Sequence, residues 1–185
     1  MQELLGRIIV AAPNMIDKNF ARTVIYIANA EKGDGVLGFV INRPSRVKLR
    51  DIAEQIHVQA VEPHASAQIY HGGPVGVQQG FVLHSPDYAD KQTLRNHHRG
   101  VYMSNSLDVM RAIARNQGPK SYRLLLGYAG WGDGQLTEEV KRHDWLISPF
   151  SIDYIFGTPI PDLWQKLIDQ MNINIAGYSD ISGSA

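Results

Sequence analysis

Short apolar runs separated by polar punctuation set the pattern of this chain. Residues 7–12 and 23–28 are β-branched and apolar, the composition of buried strands. Residues 36–41 follow across Glu31-Lys32-Gly33-Asp34-Gly35, whose Asp-Gly step predicts a hairpin turn. The period then changes. Apolar positions at 49, 52, 53 and 56 predict a short amphipathic helix. Residues 68–71 and 80–84 are strand-like and are joined through Gly72-Gly73-Pro74; residues 101–103 form a further strand. Leu107, Met110, Ile113 and Ala114 mark one face of a helix that stops near Gly118 and Pro119. A strand over 122–128, a glycine-rich loop, a helix over 137–143 and a strand over 145–148 come next. The last helix is predicted to start at Pro159 or Pro161, with Leu163, Trp164, Leu167, Ile168 and Met171 on its apolar face. Beyond Asn174 the residues turn small and polar, and the tail 174–185 is expected to be partly frayed.

The first hairpin is antiparallel by necessity. The segments 101–122 and 122–148 have the form of strand–helix–strand crossovers, which favour parallel pairing. The economical answer is an α+β fold: a single domain over 1–185 with one large mixed β-sheet and packed helices.

Composition narrows the function. Eighteen basic residues balance eighteen acidic ones. Phosphate neutralisation drives nucleic-acid binding, so this balance argues against a direct DNA role. There is no cysteine, which excludes disulfides, thiol nucleophiles and cysteine-based zinc sites. No basic stretch leads into an apolar run at the N-terminus, and no apolar run is long enough to span a bilayer. These features predict a cytoplasmic protein without membrane contact.

Several familiar motifs fail on context. Gly33, Gly35 and Gly38 satisfy the spacing G-x-G-x-x-G, but the pattern runs into a strand where a dinucleotide loop needs a helix. Neither a Walker lysine motif nor a G-x-S-x-G elbow occurs. The seven histidines, at 57, 64, 71, 84, 97, 98 and 143, show no recognised ligand spacing, although His71 and His84 fall on neighbouring strand candidates. The chain therefore predicts no metal, no cofactor and no assignable catalytic residue.

Three strand ends hold the candidate ligand contacts. The segment from Gly127 to Glu139 is rich in glycine and offers the Gln135 amide and the Trp131 indole, which suits either a ligand contact or core packing. Its acidic residues, Asp133, Glu138 and Glu139, complement a helix N-terminus and would repel a phosphate; Glu138 and Arg142 are spaced as an i,i+4 pair. Asn42 and Arg43 precede Pro44, which holds Arg43 extended, suited either to an anion clamp or to tying down a loop. Gly72 and Gly73 form a rigid turn, a small nest or a structural corner. Residues 13–22 make a long connection for a compact domain, a place where function concentrates.

Taken in order, Pro13-Asn14-Met15 with Asp17, Phe20 and Arg22-Thr23-Val24, then residues 38–44, then Gly72-Gly73-Pro74-Val75, then residues 127–131 with Gly134-Gln135-Leu136 and Glu139, resemble the YqgE/AlgH family of bacterial proteins. The resemblance covers about residues 4–172; Arg142-His143-Asp144 before Trp145 departs from the family's common glycine or asparagine. It implies a single α+β domain with a large mixed sheet. It carries over no catalytic residue, since the family's biochemical activity is unknown, although one branch is described as regulating transcription of exopolysaccharide synthesis. Two functions follow: a binding or regulatory protein with a protein partner or small polar ligand, its site built from Asn42, Arg43, Gly72, Gly73, Trp131 and Gln135, or an enzyme acting on a small polar or phosphorylated substrate.

Overall fold

The computed structural model describes residues 2–31, 33, 35–95, 99–157 and 162–175. Its ten strands are β1 (Ile8–Ala11), β2 (Val24–Glu31), β3 (Gly35–Val40), β4 (Pro44–Lys48), β5 (Gln68–His71), β6 (Val75–His84), β7 (Thr93–Leu94), β8 (Tyr102–Ser104), β9 (Tyr122–Trp131) and β10 (Trp145–Ser148). The α-helices are α1 (Leu49–Gln55), α2 (Leu107–Ala114), α3 (Gln135–Lys141), α4 (Asp153–Phe156) and α5 (Leu163–Gln170). One sheet runs β10-β1-β2-β3-β9-β6-β8-β7, with β4 paired to β5 and β5 to β9. The fold is α+β, with a mixed sheet that is antiparallel except where β5 runs parallel to β9.

β9 is the organising strand. Its C-terminal part pairs with β3, from Gly38 opposite Ala129 to Val36 opposite Trp131. Its N-terminal part pairs with β5, from Ile69 opposite Leu124 to His71 opposite Leu126. β3 and β5 thus lie end to end along one edge of β9, and β6 occupies the other edge. Two backbone bonds stitch the junction: Val40 N–H to Gly72 O at 2.8 Å and His71 N–H to Arg43 O at 2.8 Å.

Alternation sends successive side chains to opposite faces, and both faces are covered. Ile8, Val10, Tyr26, Phe39, Phe81 and Leu125 pack with Ile155 of α4 and Leu163, Trp164, Leu167 and Ile168 of α5. On the other face Ile9, Ile25, Ile27, Val40 and Trp131 pack with Leu136 of α3, and Val82 and Leu124 pack with α1 and α2. Covering both faces explains why the first strands read as unbroken apolar runs.

The glycine-rich segment expected as a loop is mostly strand: β9 continues through Trp131, and only 132–134 turn before α3. Gly127 sits at φ +71, where a Cβ would meet Gly73 O at 2.6 Å and Val75 O at 2.8 Å. The register with β6 shifts there: Tyr128 pairs with Val75 and Leu126 with Gly80, and Gly127 falls between the two pairs. Leu125 and Tyr128, three positions apart, face the same cluster, so Gly127 resets the facing of Ala129 and Trp131. Glycine here serves close backbone approach, which composition alone does not separate from a loop.

The two expected crossovers do not make parallel neighbours. β6 lies between β8 and β9, and β3, β2 and β1 lie between β9 and β10. His71 and His84 are not on adjacent strands either, because β9 separates β5 from β6. Pro44 opens β4, a strand unseen in the apolar pattern because its residues are half-exposed or exposed. The expected Glu138–Arg142 pair is replaced by Glu138–Lys141 at 2.8 Å and Arg142–Asp144 at 2.8 Å. The start of the last helix at Pro159 or Pro161, His97 and His98, and most of the tail lie outside the described residues. No helix among the described residues is long and apolar enough to cross a membrane.

Candidate functional site

The β1–β2 connection, residues 13–22, lies at the end of the sheet where β3 stops. It is fixed from several sides. Asp17 O accepts from Phe20 N–H and Ala21 N–H, and the Asp17 carboxylate accepts Asn19 N–H at 2.8 Å. The Thr23 hydroxyl donates to Phe20 O at 2.7 Å. Asn42 substitutes for a strand partner: its Oδ1 accepts Val24 N–H at 2.9 Å and its Nδ2 donates to Arg22 O at 3.0 Å.

Arg43 supplies the main clamp. Its Nη1 donates to Asn19 O at 2.6 Å, and its Nη2 donates to Ala21 O at 2.9 Å and Lys18 O at 3.2 Å. Burial lowers its pKa below the ordinary guanidinium value, and the Asp17 carboxylate works in the opposite direction. Of its two sequence-level readings, this geometry is the tied loop. Arg22 continues the lock: its guanidinium lies 4.3 Å from the Trp164 ring centroid and pairs with Asp162 at 2.7 Å. The Trp164 indole donates to Ala11 O at 2.7 Å.

Phe20 carries the loop into the core. Its ring lies 6.2 Å from that of Trp131 and 5.5 Å from that of Trp145, and the two indoles are 5.8 Å apart, edge to face. Both indole N–H groups donate to one oxygen of Glu139, each at 2.8 Å. Gln135 Nε2 donates to the other Glu139 oxygen at 2.8 Å, while Gln135 Oε1 accepts Gly132 N–H at 3.0 Å. Trp131 and Gln135 therefore direct their polar atoms at Glu139.

Two of the three expected segments come together. Asn42 and Arg43 lie beside Gly72 through the Val40–Gly72 and Arg43–His71 backbone bonds. Trp131 pairs with Val36 at the opposite end of β3, so the third segment is apart from them. Gly72 N–H donates to Leu126 O at 2.7 Å, and a Cβ on Gly73 would meet Tyr128 C at 2.1 Å. The element that touches both groups is the 13–22 loop, through Arg43 on one flank and Phe20 against Trp131 on the other.

The loop's outward feature is Ile16, 94% exposed amid these locks. The sequence marked the loop by its length but gave no signal for Ile16, because exposure of one apolar residue depends on where the rest of the loop is anchored. The partnership of Glu139 with both tryptophans spans six and eight positions across a turn and a helix, outside any local motif.

This architecture matches known proteins along almost its whole length. The AlgH-like family profile fits residues 8–176. The chain belongs to the AlgH-like family. A UPF0301 protein of Rhizobium meliloti is 37% identical over 189 residues, an alignment covering 97% of this chain and 92% of that protein. A UPF0301 protein of Thioalkalivibrio sulfidiphilus is 35% identical over 180 residues, with 97% and 96% covered. The solution structure of the AlgH protein from Pseudomonas aeruginosa superposes with a TM-score of 0.77 at 35% identity, covering 98% of this chain and 94% of that one. A crystal structure of a Corynebacterium diphtheriae protein shares the fold, with a TM-score of 0.71 at 24% identity and coverage of 95% and 91%. These AlgH-like relatives fix family and fold; the family's biochemical function is uncharacterised.

Proposed function

We propose that this AlgH-like protein is a cytoplasmic, non-enzymatic binding protein whose 13–22 loop docks a protein partner, any effect on transcription passing through that partner. The observation carrying this reading is a loop held by Arg43, Asn42 and Phe20 that presents Ile16 at 94% exposure. A preorganised loop loses little conformational entropy on binding, and an exposed apolar side chain on a rigid base gains most from entering a pocket. The other polar groups first considered for ligand contact, on Asn42, Arg43, Trp131 and Gln135, bond within the chain. That supports docking over turnover of a small polar substrate.

The test compares proteins that co-purify with wild type and with Ile16→Asp, quantified by mass spectrometry. An aspartate at an exposed position leaves thermal stability within about 0.5 kcal/mol of wild type. The reading expects at least one partner recovered with wild type and depleted tenfold or more with the variant. Equal recovery of every partner contradicts it.

A further inference from the structure

A buried hydrogen-bond chain lies away from the loop, at the corner formed by β6, β7, β8 and α2. His84, fully buried on β6, places Nδ1 2.9 Å from Ser85 O and Nε2 2.9 Å from the Ser104 hydroxyl on β8. Ser104 Oγ is 2.8 Å from Thr93 Oγ1 on β7, and Thr93 Oγ1 is 2.9 Å from the Asp90 carboxylate. Thr93 Oγ1 also accepts Asp90 N–H at 2.8 Å. The far Asp90 oxygen accepts from Ser106, whose hydroxyl caps α2 by accepting Val109 N–H at 3.1 Å.

The protons in this chain can be counted. Four contacts join Ser85 O to the Asp90 carboxylate: to Nδ1, from Nε2 to Ser104, from Ser104 to Thr93, and from Thr93 to Asp90. Each end is an acceptor, so each contact needs one proton. A neutral imidazole and two hydroxyls bring three. One contact must then be lone pair against lone pair. An imidazolium brings the fourth, and every donor points the same way: Nδ1–H to Ser85 O, Nε2–H to Ser104, Ser104 to Thr93, Thr93 to Asp90.

We infer that His84 is the proton acceptor of a pH-sensitive strap, in which one proton taken up on the buried imidazole completes the chain to Asp90 and tightens residues 90–94 against β8. In the neutral state Nδ1 keeps its proton and donates it to Ser85 O, Ser104 turns its hydroxyl to donate to Nε2, and Thr93 keeps donating to Asp90. The contact left without a proton is Ser104–Thr93, the side-chain link between β8 and the two-residue edge strand β7.

The surroundings oppose one another. Burial lowers the His84 pKa below its ordinary value, while the Ser85 carbonyl, Asp90 and Asp87 act to raise it. Asp87 bonds Ser85 and Lys120 N–H, and Lys120 adds its charge beside it. Tyr88, with Asp90 and Asp108 near it, and Tyr102 of β8 stand T-shaped to the imidazole, with ring centroids at 5.9 and 6.1 Å. Tyr122, opposite His84 on β9, directs its hydroxyl to His64 at 2.6 Å. Burial works to raise the Asp90 pKa, but hydrogen bonds from Ser106, Thr93 and Gln92 N–H together outweigh it and hold Asp90 below its ordinary value, which leaves the proton to the imidazole end.

The test is an NMR titration of the full chain, following both imidazole nitrogens of His84, the Asp90 carboxyl carbon and amide exchange at 90–94 corrected for intrinsic pH dependence. The expected result is a doubly protonated His84 in the folded protein, below the ordinary imidazole midpoint and before Asp90 titrates. Exchange at 90–94 slows severalfold with the same midpoint. Thr93→Val, which keeps the β-branched shape and removes the relay hydroxyl, should lower the His84 midpoint and abolish the linked change; Ser104→Ala should do the same. A His84 that stays neutral until unfolding, a proton that appears first on Asp90, or exchange at 90–94 indifferent to His84 protonation would overturn the inference.

Discussion

At the residue scale, Glu139 does the work that its position in an acidic cluster conceals. One of its oxygens receives two indole N–H bonds, from side chains that are almost wholly buried. Truncating it leaves both donors unpaired, and buried unsatisfied donors cost about 1–3 kcal/mol each. Glu139→Ala is therefore expected to lose about 2–6 kcal/mol, roughly 4–24 °C in melting temperature for a chain this size, checked by denaturant and thermal unfolding. Glu139→Gln keeps an acceptor for the indoles and should lose less than half as much. His84 sets a second residue-scale expectation. Its folded pKa lies below the unfolded value of about 6.5, so the unfolded chain takes up the proton first as the pH falls. Its stabilising contribution is complete above that value and is lost below it, levelling once the folded protein also protonates. Unfolding free energy against pH should show this step, and His84→Gln should remove it.

Elements show where sequence reading succeeded and where it stopped. The apolar runs of β1, β2 and β3, and the faces of α2 and α5, were legible because burial on both sheet faces or on one helix face writes directly into periodicity. β4 and the first half of β6 carry mixed, exposed residues, so no pattern marked them. The pairing of β5 with β9 was hidden for another reason: it is a contact between residues more than fifty positions apart, set by how β3 and β5 share one strand edge. The glycines of 127–131 were visible but misread, because close backbone packing and a loop call for the same residue. That reading makes Gly127→Ala costly. The new methyl would press on two carbonyl oxygens at a positive φ, for about 2–4 kcal/mol of destabilisation in equilibrium unfolding.

For the whole molecule, the 13–22 loop is where anchoring from distant parts of the chain converges. Arg43 reaches it from beyond β3, Trp131 and Trp145 from the strands flanking α3, and Asp162 with Trp164 from the start of α5. Length identified this loop in the sequence, but its rigidity and the outward Ile16 arise only when those elements assemble. Arg43→Ala removes hydrogen bonds to three loop carbonyls while leaving the sheet intact. Limited proteolysis should then cut within 17–22 at least severalfold faster, with a melting temperature only a few degrees lower. The direct measurement is photo-crosslinking in the native cell, with a photoreactive residue at position 16 and, as a control, at exposed Val77 on β6. The account predicts one protein captured reproducibly from position 16, absent from position 77 and sharply reduced by Arg43→Ala. Capture at 16 no greater than at 77 would contradict it.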